Sequence, residues 1–216
     1  MPRSRAALPA TLVLLLAACG TTHPVPDRAP EPAPATTAAA PQSFTLVATG
    51  DVLVHQDRAL TAGALQDDGR YDFSDVLAPV APLIEAADLA ICHLETPVAP
   101  AGGPYRGYPS FAVQPEIVDA LAGAGYDLCS TASNHSLDDG AAGLARTLDA
   151  LDAAGIAHSG TYRSEAESVV PTIVDAGGVR VGHIAATYGL NGGGPPADRE
   201  WSVDVAGVPD LSLIHI

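Results

Sequence analysis

The chain contains no lysine: its ten basic residues are all arginine, set against 25 acidic residues for a formal net charge of −15. A surface this poor in positive charge repels polyanions, which excludes nucleic acid as a general partner. Without lysine there is no phosphate-cradling loop ending in Lys-Ser/Thr, and no Gly-x-Ser-x-Gly elbow stands in the sequence either. A nucleophilic serine or cysteine therefore has no support. Cysteine is scarce: beyond Cys19 only Cys92 and Cys129 remain, at no spacing that suits a thiolate metal site. These two read as small buried residues, or as a disulfide should their strands be neighbours.

What is present begins at the N-terminus. "MPRSR" supplies two positive charges, "AALPATLVLLLAA" an apolar stretch too short to span a membrane and remain there, and "LAAC" ends it at Cys19. That order describes a signal peptide over residues 1–18. Leu16-Ala17-Ala18-Cys19 resembles the bacterial lipobox, in which the cysteine is lipidated and becomes the mature N-terminus. The expectation is an extracytoplasmic lipoprotein, lipid-anchored to the cell membrane through Cys19. A plain cleaved signal and an uncleaved anchor are the other readings, and both also place the domain outside the cytoplasm.

Residues 19–42 are rich in Pro, Ala and Thr without apolar periodicity, which describes a disordered tether. At the other end, "LSLIHI" matches the translation of a transposase mosaic-end adapter. Residues 211–216 are expected to be non-native on that ground, and His215 is no ligand candidate.

Between these ends, 216 residues at 47% hydrophobic suffice for one core and hardly for two, so residues 43–210 read as one domain. "FTLVATGD" suits a buried parallel strand. "SDVLAPVAPLIEAA" reads as a helix capped by Ser74 or Asp75, with Val76, Val80, Leu83, Ile84 and Ala87 on one face and Pro79 and Pro82 weakening it. "DLAICHLE", "YDLCSTASN" and "IAHSG" read as strands. The helices between them start at Pro115 and stop at Gly125, and run from Gly140 to a stop at Gly155. "VPTIVDAGGVRVGHIAATY" reads as a hairpin turning at Asp175–Gly178. Alternation of this kind specifies an α/β fold with a largely parallel sheet.

In open α/β sheets, ligands gather beyond the carboxyl ends of the strands. Asp51 and His55 follow the first strand, His93 and Glu95 the second, and Asn134, His135, Asp138 and Asp139 the third. Each residue alone has a plainer reading as turn, cap or solvated charge. Together they deliver carboxylate, amide and imidazole groups to one rim, a donor set for divalent Mn, Fe or Zn. His55 and His93 are the weaker members. His158 and His183 lie within apolar strands and read as structural, and "GLNGGGPP" reads as a flexible loop.

Four segments carry a resemblance: "TGDVLVH", "ADLAICHLETPV", "STASNHSLDDGAAGLARTLDALDAAGIAHSG" and "HIAATYGLNG". They resemble the bacterial capsule-synthesis CapA family, associated with poly-gamma-glutamate capsules and similar in fold to the calcineurin-like metallophosphatases. The resemblance implies a four-layer α/β/β/α sandwich, of which this chain would hold the N-terminal part. It implies that Asp51, Glu95 and Asn134 hold one or two metal ions, and that His135 acts as general acid, oriented by Asp138. It also implies partners in polymer-synthesis machinery or an anionic polymer, and either a metal-dependent hydrolase or a non-catalytic envelope scaffold. His93 stands where the family usually has Asn, and Ser133 where a second Asn often precedes the Asn-His pair. The family's downstream His-Trp-Gly and Gly-His-His-Pro-His motifs are not in these 216 residues.

Overall fold

The computed structural model describes residues 43–206 apart from Asp57. The signal peptide, the tether, Cys19 and residues 211–216 lie outside the described residues. Among those described, no helix is long and apolar enough to cross a membrane.

The fold opens with β1 (Leu46–Val52), then three short helices, α1 (Ala59–Ala64), α2 (Ser74–Leu77) and α3 (Ala81–Glu85), and returns through β2 (Leu89–Leu94). Next come α4 (Glu116–Gly123), β3 (Leu128–Ser130), α5 (Gly140–Ala154) and β4 (Ala157–Ser159). A short α6 (Glu165–Ser168) leads to the hairpin β5 (Thr172–Ala176) and β6 (Val179–His183), and a 3₁₀ turn covers Glu200–Ser202. Strands β1 to β4 form one parallel sheet in sequential order, as the βα alternation predicts. Three right-handed crossovers running in one direction place their helices on one side of such a sheet. The burial agrees. Ala90, Cys92 and Leu94 join one core with Ile117, Val118 and Leu121 of α4 and Leu144, Leu148 and Leu151 of α5, while Ile91 and His93, on the opposite face, are only partly buried.

The helices form where the sequence punctuates them. Pro115, at φ −65°, leads into α4, and Gly125 takes the left-handed conformation beyond its end. Leu144, Leu148 and Leu151 recur at helical spacing along α5, all buried, and Gly155 closes the helix at φ +76°. Burying each of these leucines contributes about 1.5–3 kcal/mol. In the hairpin, Gly177 and Gly178 both take positive φ, the twist a tight antiparallel turn requires.

Four expectations change. β1 is not a buried strand: it occupies the sheet edge, pairs only with β2, and leaves Leu46 half exposed. The single helix expected from Ser74 is two short ones, broken around Pro79, while Pro82 sits in the first turn of α3, and Phe73 rather than Ser74 or Asp75 is the N-cap. Ile84 is buried while Leu83 and Val80 face outward, so the expected apolar stripe does not form. β3 ends at Ser130 and releases Thr131–Asn134 as a loop.

Cys92 and Cys129 are directly opposed across β2 and β3 and form a disulfide on the core side of the sheet.

Candidate functional site

Strand register builds the first half of the site. Asp51 of β1 pairs with His93 of β2, and His93 pairs with Ser130 of β3. Their side chains form a row across three strands: His93 Nε2 lies 3.9 Å from Asp51 Oδ1, and its Nδ1 lies 2.8 Å from Ser130 Oγ. Asp51 is largely exposed, whereas His93 is mostly covered.

The loops beyond β2 and β3 build the second half. Glu95, one residue past β2, is largely buried with its Oε1 4.0 Å from His135 Nε2. The His135 Nδ1 is 2.6 Å from Asp138 Oδ2, and both side chains are buried. Ser133 stitches the loops together: its hydroxyl donates to the Glu95 carbonyl and accepts the His135 backbone N–H. Burial first, and then the nearby Asp51 charge, push the Glu95 carboxyl above its usual value, while His135, His93 and His55 act in the opposite sense.

A third segment closes over Asp138. Arg106 and Ala112 bridge the ends of a loop in which the Phe111 backbone N–H donates to Asp138 Oδ2 at 2.8 Å and the Ser110 hydroxyl donates to the Asp138 carbonyl at 3.0 Å. Arg106 and Arg146 both pair with the Asp139 carboxylate, so Asp139 serves this anchorage. The Phe111 ring meets His135 edge-on at 4.8 Å and His55 at 5.2 Å. His55 thus packs on the same ring as His135, and it also acts on the Glu95 carboxyl.

The fourth contribution comes from the Gly-rich loop after β6. The Asn191 backbone N–H donates to the Asn134 carbonyl at 2.9 Å, and Asn134 Nδ2 donates to Asn191 Oδ1 at 3.3 Å. The six named residues from Asp51 to Asp138 therefore come together at one rim, with His55 behind them. Sequence reasoning missed Ser130, Phe111 and Asn191, and named Ser133 only as a departure from the family pattern. Only the likeness carried by "HIAATYGLNG" pointed toward Asn191.

The donor chemistry fits a divalent cation. Carboxylate, amide oxygen and imidazole suit Mn, Fe or Zn, and Glu95 Oε2 is buried without a hydrogen-bond partner. Among the described residues, no three His, Cys, Asp or Glu side chains stand close enough to enclose an ion by themselves. The site as built is two acid–imidazole pairs, Asp51 with His93 and Glu95 with His135, with Asn134 next to His135 in the chain and its amide bonded to Asn191.

Residues 45–210 match the family model described as bacterial capsule synthesis protein PGA_cap. Two proteins of Sinorhizobium fredii, "Uncharacterized protein y4uA" and "Uncharacterized protein y4sH", are 33% and 32% identical over 149 residues. That alignment covers 64% of this chain and 29% of each relative, so the chain spans under a third of the relatives' length. The match across the whole α/β domain, including every residue of the rim, makes this chain a member of the bacterial capsule synthesis protein family.

Proposed function

We propose that the rim is a metal-dependent hydrolase site acting on a phosphoester-like substrate, in a lipoprotein of the cell envelope that serves capsule polymer synthesis or export. One observation carries the reading: a buried His135–Asp138 pair at 2.6 Å stands beside a buried Glu95 whose second oxygen has no partner. Asp51, Glu95 and Asn134, with His93 alongside, would hold one or two divalent ions. A bound ion of this kind polarises an oxygen of the substrate and acidifies water.

The protein's own residues divide the remaining work. Asp138 accepts the Nδ1 hydrogen of His135, which leaves Nε2 as the atom that exchanges a proton with a leaving oxygen. Phe111 supports this arrangement twice, through its backbone N–H to Asp138 and its ring against the imidazole. Asp51 at the open edge gives the substrate's side of the rim a negative charge, which favours approach of a substrate already paired with a cation.

A second reading is a non-catalytic scaffold at the envelope that binds polymer-synthesis machinery or an anionic polymer. The open spacing of the acid–imidazole pairs favours it. The net charge of −15 restricts contact with an acidic polymer to a local cleft. Metal content after loading with Mn²⁺, and turnover of a phosphodiester, separate the two. The hydrolase reading expects bound metal, with activity lost in Asn134→Ala plus His135→Ala. Absence of metal above background, or unchanged activity in that double variant, leaves the scaffold. For the envelope assignment, Cys19→Ser is expected to move the protein into the soluble fraction, and its retention in membranes would refute lipidation.

A further inference from the structure

We infer that Asn191 is a positioning residue that fixes which end of the Asn134 amide faces a cation; this rests on the metal-site reading above. Asn191 comes from a loop 57 residues away in sequence, between Leu190, which packs against the core, and three glycines. Two hydrogen bonds tie it to Asn134. The Asn191 backbone N–H donates to the Asn134 carbonyl, and the Asn191 side-chain oxygen accepts from Asn134 Nδ2.

The consequence follows from what an amide can do. Its nitrogen only donates, and its oxygen is the only atom that ligates a hard cation. With Asn134 Nδ2 committed to Asn191 Oδ1, the Asn134 Oδ1 is the uncommitted end, and among the described residues it takes no hydrogen bond. Turning the Asn134 amide over would set two carbonyl oxygens against each other and present an NH₂ group to the cation. Asn191 thereby selects the ligating orientation, as partners behind a metal ligand do.

Asn191 also touches the neighbouring imidazole. Its Nδ2 lies 3.1 Å from His135 Nδ1 and 3.4 Å from Nε2, alongside the ring rather than on one lone pair. Since the Nδ1 hydrogen goes to Asp138, the amide nitrogen acts here as a packing contact. One exposed side chain from a Gly-rich loop thus abuts both residues of the Asn-His pair.

The test uses the 216-residue chain, with Mn²⁺ alone as probe, and compares Asn191→Leu, which has no acceptor, with Asn191→Asp, which keeps one. Mn²⁺ affinity by electron paramagnetic resonance is expected to fall about 10–100-fold in Asn191→Leu and to return in Asn191→Asp. The thermal midpoint should stay the same in both variants, because the residue is exposed. In metal-free protein, the NMR signals of the Asn134 side-chain NH₂, assigned with Asn134→Ala, should lose their exchange protection in Asn191→Leu only. If Asn191→Leu binds Mn²⁺ like the parent while Asn134→Ala does not, or leaves the Asn134 amide signals protected, the inference is overturned and the metal reading stands. If the parent itself takes up no Mn²⁺, the metal reading falls and the inference with it.

Discussion

Asp138 Oδ2 receives two donors at once, His135 Nδ1 at 2.6 Å and the Phe111 backbone N–H at 2.8 Å. Only an oxygen acceptor satisfies both, and an ionised one does so most strongly. Asp138→Asn halves the acceptor capacity and offers an NH₂ where oxygen stood. The expected loss is about 1–3 kcal/mol of stability by urea unfolding and about 10²–10⁴-fold of any turnover. A shift in the ¹⁵N signals of His135 would report the altered tautomer, and unchanged signals would contradict the role given to Asp138.

Gly160 follows β4 at φ +99°, and a β-carbon there would stand 2.6 Å from the Ala132 side chain and 3.0 Å from that of Ala185. Those neighbours hold the loop behind the Asn-His pair. Gly160→Ala combines a left-handed backbone with a clash that no flexible side chain can relieve. The expected cost is about 2–5 kcal/mol, read as a fall in the urea midpoint. A neutral result would mean that this loop adjusts freely.

The Cys92–Cys129 bond closes a loop with a sequence separation of 37 residues. Chain-entropy arithmetic gives a loop of this size about 4 kcal/mol. Non-reducing mass spectrometry should find the bond in protein folded under oxidising conditions, and dithiothreitol should lower the denaturant midpoint. Equal midpoints with and without reductant would assign these residues to packing alone. An oxidising compartment is where such a bond persists, in keeping with the proposed envelope location.

Two acid-side steps in stability are expected. Burial pushes the His183 imidazole, bonded through Nδ1 to Ser159 Oγ at 2.7 Å, below its usual value. The unfolded chain then takes up the proton first, so stability declines as pH falls below about 6.5 and levels off at the folded value. For Glu167, burial raises the carboxyl but hydrogen bonds from Arg163 outweigh it and hold it low. For Asp152 the same burial is outweighed by Arg163 and His158. Their stabilisation is present above the unfolded carboxylate values near about 4 and is lost as pH falls through the folded ones. Urea midpoints between pH 8 and pH 3 should show both declines, and His183→Gln should remove the upper one only. Persistence of the upper step in that variant would point to another group.

Much of this fold was legible from local chemistry. Pro115, Gly125 and Gly155 mark helix limits by conformational restriction, and the leucines of α5 mark its buried face, so both helices stand where expected. The edge position of β1 was not legible, because an apolar β-branched run says that a strand forms but not which neighbours it receives. The rim residues were readable as groups at strand ends. Their mutual fixing was not: the contacts of Ser133 with Glu95, Phe111 with Asp138 and Asn191 with Asn134 span 38, 27 and 57 positions. Such contacts follow from the tertiary fold and leave no periodic trace in the sequence.

The bridged loop carrying Arg106, Ser110 and Phe111 bears on how an alanine scan of this protein should be interpreted. Each of these residues is moored to Asp138 or Asp139. Removing a mooring would lower measured rates without removing any group that meets a reactant. Ranked by rate alone, such a scan would overcount the chemical machinery and draw the catalytic map one loop too wide. The shape of the pH–rate curve separates the two kinds of residue: a loosened mooring shifts the limb that belongs to the imidazole, whereas loss of a binding contact lowers the whole curve and leaves its limbs in place.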